Sequence, residues 1–220
     1  MSGICKHHLK KCLLLVLVIS LAVDILVVRD AAKAGENEEK KDYGVFLSID
    51  SSQMRKLYHY KLVVIDAQFF SKKDIRMLHK KGVKVYTYLN VGSIEEFRDY
   101  YKEYEHLAIG DYENWDDEKW VDVSNQEWQN FIGKLSKKLL EKGVDGFFID
   151  NCDVYDYAQT KKNFQGLVKI LKNIRSLGVE LVINGGDVFV TKYRKTYGTA
   201  KNIMTAVNQE SVWSRIQFEQ

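Results

Sequence analysis

Apolar residues fall along this chain in short, nearly unbroken runs, separated by longer stretches where they recur every three or four positions. The runs predict strands at 43–49, 62–67, 85–90, 120–123, 146–150, 181–184 and 203–207. The clearest helical stretches are 126–142, with Trp128, Phe131, Ile132, Leu135, Leu139 and Leu140 on one face, and 157–177, with Phe164, Leu167, Val168, Leu171 and Ile174. Three joins share one punctuation, in which a polar helix end meets a glycine and then a valine-led strand: Lys81-Gly82-Val83, Lys142-Gly143-Val144 and Leu177-Gly178-Val179. Glycine suits the left-handed residue that closes a helix, so each join marks a passage from helix to strand. Strand and helix in alternation imply a parallel sheet, and the absence of a nucleotide-binding glycine motif favours a TIM-type (β/α) barrel in the α/β class over a doubly wound sheet. After the seventh predicted strand only 208–220 remain, too few for an eighth unit of ~30 residues, so the pattern predicts a barrel truncated after the seventh strand.

Strand ends carry the candidate chemistry. The run Phe147-Phe148-Ile149 suits a strand buried on both faces, and it stops on Asp150 and Asn151, with Asp153 just beyond. In such folds the carboxyl ends of the strands bear the active site. The other predicted ends bring Asp50, Asp66, Tyr88 with Asn90, Asp122, Asn184 with Gly185, Gly186 and Asp187, and Asn208 with Gln209 and Glu210. Carboxylates and amides bond sugar hydroxyls, while aromatic faces such as Tyr88, Tyr155, Tyr157, Trp115 and Trp213 stack on sugar C–H surfaces. An excess of acids further suits an amino sugar, whose ammonium gains a charge-assisted bond. Gly185 and Gly186 allow close approach of a ligand to the backbone or form a tight turn. Glycoside hydrolysis needs two carboxyl groups across one bond, and Asp150 with Glu210 is the best pair.

Charge and cysteine usage narrow the class. The net charge of +3 lies entirely in residues 1–34, where Lys6, Lys10, Lys11, Arg29 and Lys33 outnumber Asp24 and Asp30. The remaining chain has no net charge to attract nucleic acid. A basic start, an apolar 13–28 broken by Asp24, and the small-x-small Ala32-Lys33-Ala34 read as a signal peptide or a signal anchor. Either places the domain as secreted or held on the outer side of the cytoplasmic membrane, which an intracellular metabolic barrel contradicts. Residues 35–42 read as a charged linker, and 43–220 as the catalytic domain. Cys5 and Cys12 fall in the signal, which leaves Cys152 alone and without an internal disulfide partner. The five histidines show no metal-ligand spacing, and no cofactor motif is present, so neither metal nor cofactor is expected.

Five segments carry a family resemblance: YTYLNVGSIEEFR at 86–98, WVDV at 120–123, GVDGFFIDNCDVYDY at 143–157, LVINGG at 181–186 and VNQES at 207–211. In these the chain resembles the endo-alpha-1,4-polygalactosaminidase family, glycoside hydrolase family 114, a group of TIM barrels. The resemblance implies Asp150 and Glu210 as the catalytic pair, with Asp150 as nucleophile and Glu210 as acid/base, or the reverse. It also implies a galactosamine-rich exopolysaccharide as substrate, while the charge balance predicts no nucleic acid partner and the N-terminal pattern a membrane contact only through an uncleaved segment. The rival readings are a glycan-binding domain without turnover and an inactive fragment of a longer hydrolase.

Overall fold

The computed structural model of the chain describes residues 39–113 and 115–210; the signal or anchor read at 1–34, Ser211 and Trp213 lie outside the described residues. Six strands form one parallel sheet in the order β1 (Lys41–Phe46), β2 (Tyr60–Ile65), β3 (Lys84–Asn90), β7 (Gly146–Asp150), β8 (Glu180–Asn184) and β9 (Ala206–Asn208). Three further strands, β4 (Ser93–Glu95), β5 (Ala108–Asp111) and β6 (Glu118–Val121), make a separate antiparallel sheet in the order β4-β6-β5. Helices α1 (Lys72–Lys80), α2 (Gln126–Glu141), α3 (Lys161–Arg175) and α4 (Asp187–Tyr197) connect the parallel strands. The architecture is the expected TIM type, a curled parallel sheet forming a half-barrel among the described residues. Its edges approach each other without pairing, since the Tyr43 hydroxyl on β1 lies 3.5 Å from Asn208 Oδ1 on β9.

Burial follows the strand period of two. Val64, Tyr86, Tyr88 and Phe148 form a small cluster inside the curl, with Leu62 and Val182 against it. The intervening residues, among them Val63, Ile65, Val85, Phe147, Ile149 and Leu181, are fully buried on the other side beneath the helices. Both faces are therefore apolar, which is why these segments read as continuous runs rather than alternating ones. Gly82, Gly143 and Gly178 all have positive φ, as their helix-closing positions require.

One predicted strand does not join the barrel wall. The segment expected at 120–123 lies in β6, and β3 pairs directly with β7. A parallel strand needs a crossover of a dozen or more residues, usually helical, to bring the chain back. Between β3 and β6 the helical chain is limited to the short helix Tyr101–Tyr104 and the 3-10 turn Glu105–Leu107, so the chain returns antiparallel and pairs with β4 and β5. β1 starts at Lys41, taking in the last two residues of the segment read as a linker. β9 starts at Ala206, and Ile203 is buried in the turn before it.

α2 and α3 carry the predicted apolar stripes, with Trp128, Ile132, Leu135 and Leu139 buried on one and Leu167, Leu171 and Ile174 on the other. Trp128 Nε1 donates to the Val91 carbonyl at 2.8 Å and so anchors α2 beneath the end of β3. α3 lies so close to the loop after β6 that a Cβ on Gly166 would overlap the Val123 carbonyl oxygen. In an open helix site Gly→Ala stabilises by ~1 kcal/mol. At this site Gly166→Ala should instead destabilise by ~1–3 kcal/mol, because the overlapped atom is backbone. Urea unfolding checks this: a lower midpoint is expected, and a higher one would show that the helix has room.

Candidate active site

Register brings the polar strand ends to one level. Asn90 on β3 pairs with Asp150 on β7, Ile149 with Ile183 on β8, and Asn184 with Asn208 on β9. Asn90, Asp150, Asn184 and Asn208 thus form a row across four adjacent strands at their carboxyl ends. In the middle of that row the Asn184 amide links both expected catalytic acids. Its Nδ2 donates to Asp150 Oδ1 and to Glu210 Oε1, each at 3.0 Å. Its Oδ1 accepts from Asn208 Nδ2 at 2.7 Å, which fixes the orientation of the amide. The two carboxylate oxygens are therefore no farther apart than twice a hydrogen-bond length.

The nearby backbone N–H of Asn151 and the Tyr88 hydroxyl also favour the charged form of Asp150, the hydroxyl itself donating to Glu95 Oε1 at 3.3 Å. Every partner is a donor, an arrangement that favours an ionised carboxylate. Burial opposes them and dominates, with nearby Glu118 adding repulsion, and Asp150 is pushed up from an ordinary 3.8 to about 6. The Tyr88 hydroxyl is raised well above its usual range, first by burial and then by the Asp150 charge.

Glu118, on β6, was not singled out by the sequence. It accepts from Asn90 Nδ2 at 2.8 Å, from Asn151 Nδ2 at 2.7 Å and from the Ser93 hydroxyl. Burial raises its pKa against those hydrogen bonds. Glu118 thereby ties the ends of β3 and β7 to the antiparallel sheet. The detectable signal was the period of two in the EKWV strand, which sends Glu118 and Trp120 to the same side. Asn151 beside it has φ of 60°, an uncommon conformation for a residue other than glycine. Its amide is held by Glu118, by the Ser93 hydroxyl at 2.6 Å and by the Tyr112 hydroxyl at 3.4 Å. A Cβ on Gly92 would overlap the Asn151 carbonyl oxygen, so only glycine fits there.

These groups floor a cleft of about 860 Å³. Nine of its lining residues carry carboxylates and none is a lysine, arginine or histidine, so the cleft favours a cationic guest. The small sheet and the loop after β7 supply an aromatic wall. Tyr112 stacks on Trp120 at 4.2 Å between centroids and Trp120 on Tyr157 at 5.5 Å, while Trp115 at the cleft is 61% exposed. Gly185 and Gly186 are both left-handed, and the Gly186 N–H donates to the Asp153 carboxylate at 3.1 and 3.2 Å. They form the turn into α4 and also line the cleft.

Among the expected site residues, Asp150, Asn184, Gln209 and Glu210 line this cleft, as do Tyr88, Asn151, Asp153 and Gly185. Asn90 and Asn208 do not line it; they bond Glu118 and Asn184 from below. Asp50 and Asp66 line a smaller adjoining pocket. Asp66 is already engaged there, taking Arg98 Nη1 at 2.5 Å and capping the following turn. Asp122 accepts from the Ser124 N–H and hydroxyl at the turn into α2, away from the cleft, because the strand before it is not part of the barrel. Tyr155 is a core residue, packed on Phe164 and Phe189.

The model of glycoside-hydrolase family GH114 matches residues 28–202, most of the chain. The chain belongs to family GH114. Among solved structures, the glycoside hydrolase domain of PelA from Pseudomonas aeruginosa is 17% identical with a TM-score of 0.64, covering 79% of this chain and 67% of that one. Ega3 from Aspergillus fumigatus, solved in complex with galactosamine, is 19% identical with a TM-score of 0.61, covering 78% of this chain and 66% of that one. The maltogenic alpha-amylase AmyB of Thermotoga neapolitana shares the fold more distantly, at 11% identity and a TM-score of 0.54. A Thermotoga maritima protein described as uncharacterized is 24% identical over 93 residues, which are 40% of this chain and 29% of that protein.

In this GH114 chain the Asn184 amide should control the ionisation of Asp150. Replacing its donor with an acceptor, as in Asn184→Asp, removes a hydrogen bond that lowers the Asp150 pKa and adds a repelling charge. The Asp150 titration midpoint, followed by carbon-13 NMR, should then rise above about 6. An unchanged midpoint would show that Asn184 does not govern it.

Proposed function

We propose that this chain cleaves internal glycosidic bonds of a galactosamine-rich exopolysaccharide outside the cytoplasm, with Asp150 as nucleophile and Glu210 as acid/base. The observation that carries the reading is the single Asn184 amide bonded to both carboxylates. Retaining glycosidases hold their carboxyl groups ~5–5.5 Å apart, and inverting ones ~6.5–9.5 Å, with room for a water. Two oxygens bonded to one nitrogen are compatible with the shorter spacing, and this supports retention of configuration.

In the first step Glu210 donates its proton to the departing glycosidic oxygen while Asp150 attacks the anomeric carbon and becomes bonded to the sugar. In the second, Glu210 takes a proton from water as the water oxygen displaces Asp150, which regains its charge. The Asn184 amide and the Asn151 N–H beside Asp150 suit a group that must be anionic before attack. The choice of substrate rests on the lysine- and arginine-free, carboxylate-lined cleft, which attracts a protonated amine, and on the galactosamine bound to the structurally similar Ega3. Location rests on the basic-then-apolar pattern of residues 1–34.

Three outcomes test this. Asp150→Asn and Glu210→Gln, each nearly isosteric, should lower hydrolysis of polygalactosamine by ~10²–10⁴-fold or more with thermal unfolding little changed; full activity in either removes that residue from the mechanism. Because Asp150 must be ionised to attack and is pushed up to about 6, kcat/KM should rise with pH through about 6. A fall through the same range would reverse the two roles. Cleavage of a deacetylated, cationic polymer should weaken as salt is raised, since exposed charges are screened over ~8 Å at physiological ionic strength. A fully acetylated polymer should show no such dependence, and equal salt profiles would show that the carboxylates serve hydroxyls or structure instead.

A further inference from the structure

Nine carboxylates line the acidic cleft, and their surroundings divide them. Asp150 and Glu210 share the Asn184 amide. Glu95 has neither oxygen free, because Arg98 Nε donates to Oε2 at 2.6 Å while Arg98 Nη2 and the Tyr88 hydroxyl donate to Oε1 at 3.1 and 3.3 Å. Both oxygens of Asp153 turn to the Gly186 N–H. Glu113, Asp117, Asp156 and Asp187 are exposed, where water and salt screen their pull on a cation. Glu118 is different. It is partly buried, and its three side-chain donors, Asn90 Nδ2, Asn151 Nδ2 and the Ser93 hydroxyl, all go to one oxygen, Oε1. Its other oxygen, Oε2, accepts from no side chain among the described residues and is not enclosed by protein, so it is open to the cleft that Glu118 lines.

Glu118 also stands beside the reacting centre. Asn151 follows Asp150 directly and Asn90 lies opposite Asp150 in the register of β3 and β7, and Glu118 Oε1 holds both of their amides. Its charge is felt at Asp150 as repulsion. In a 2-amino sugar the amine sits on C2, next to the anomeric carbon, so an acid that reads that amine must stand close to the nucleophile. We propose that Glu118 is the specificity-determining residue of the cleft, its Oε2 accepting from the C2 ammonium of the ring held at Asp150. The inference rests on the proposed hydrolysis of a galactosamine polymer and names the group that selects it. Oε1 builds the site, and Oε2 reads the substrate. Burial raises the pKa of Glu118, which marks a carboxylate short of water and without a cation; an ammonium supplies that cation through a charge-assisted bond. An acetamide N–H or a hydroxyl in the same place makes only a weaker, neutral bond. The consequence is a preference for a free amine on the ring at the cleaved bond, whatever the other rings carry.

Glu118→Gln in the full chain tests this, because the amide oxygen can replace Oε1 in the network while an NH2 group replaces Oε2. On an Asp150→Asn background, which needs no turnover, calorimetry should show binding of fully deacetylated galactosamine oligomers weakened by ~10–100-fold and that of acetylated oligomers by much less. Equal weakening of both, or of neither, overturns the assignment. A second measurement leaves Glu118 intact and so does not depend on the folding of its variant. The Glu118 carboxyl, whose nearby like charges are Glu95 and Asp117, is titrated by carbon-13 NMR in the Asp150→Asn chain. A bound deacetylated oligomer should lower its midpoint, since an ammonium favours the ionised form, and an acetylated oligomer should not. An unchanged midpoint with the deacetylated oligomer in excess overturns the proposal. If the amine-dependent effects are found but the wild-type chain hydrolyses neither polymer, the recognition stands and the proposed catalysis falls; if hydrolysis is found but Glu118→Gln leaves the preference between the two polymers unchanged, the reverse holds.

Discussion

Two carboxyl groups meet at the cleft through one amide that donates to both. Asn184 supplies that amide, and the site depends on where it stands. Its amide has two protons and one acceptor; the protons go to Asp150 and Glu210, and the acceptor is turned by Asn208. An aspartate there would add a further negative charge, and a lysine would offset one charge and favour the ionised form of both acids. The amide gives orientation without charge, leaving the pKa of Asp150 to be set by burial. The register of β7, β8 and β9 is what brings these side chains level. A slip of one residue in any of these strands would turn the polar end residue toward the other face and dissolve the clamp.

The antiparallel sheet between β3 and β7 does a different kind of work. It adds no parallel strand, yet it brings Glu118 and the Tyr112, Trp120 stack to one side of the cleft. Glu118 accepts from three side chains on three segments, and that network holds Asn151 in its left-handed conformation immediately after Asp150. The position of the Asp150 carboxylate is thus fixed from both directions along the chain, by Asn184 across the sheet and by Asn151 from the inserted layer. The Arg98 triad performs a comparable service on the far side. Removing one partner from such a buried group costs ~3–5 kcal/mol, because the remaining charge is left unpaired in a poorly solvated place.

Much of this was legible in the residues. The runs at 62–67, 85–90, 146–150 and 181–184 could be read as buried parallel strands because both of their faces are apolar, and the three glycine joins because left-handed helix closure strongly favours glycine. Asp150 and Asn184 were legible as cleft-lining residues because a polar group that ends a buried strand has only the strand mouth to occupy. The same rule overreached elsewhere. Asp122 follows an apolar run that belongs to the small sheet, Asp66 is engaged by Arg98 from a later segment, and Tyr155 turns into the core between α3 and α4. Each of these outcomes depends on a partner remote in sequence, which local pattern does not contain.

The sequence by itself therefore determined the α/β class, the order of most parallel strands and the chemical type of the site, since these follow from hydrophobic period, turn chemistry and the polar residues that end buried strands. Only the tertiary structure decided which acids are free and which are spent. It seated Asn184 between Asp150 and Glu210, brought Glu118 in from an inserted sheet, and set Arg98 against Asp66 and Glu95. The physical reason is that a carboxylate's charge state and reach are set by the donors, cations and burial around it. Those neighbours come from strands and loops that meet only when the sheet has curled.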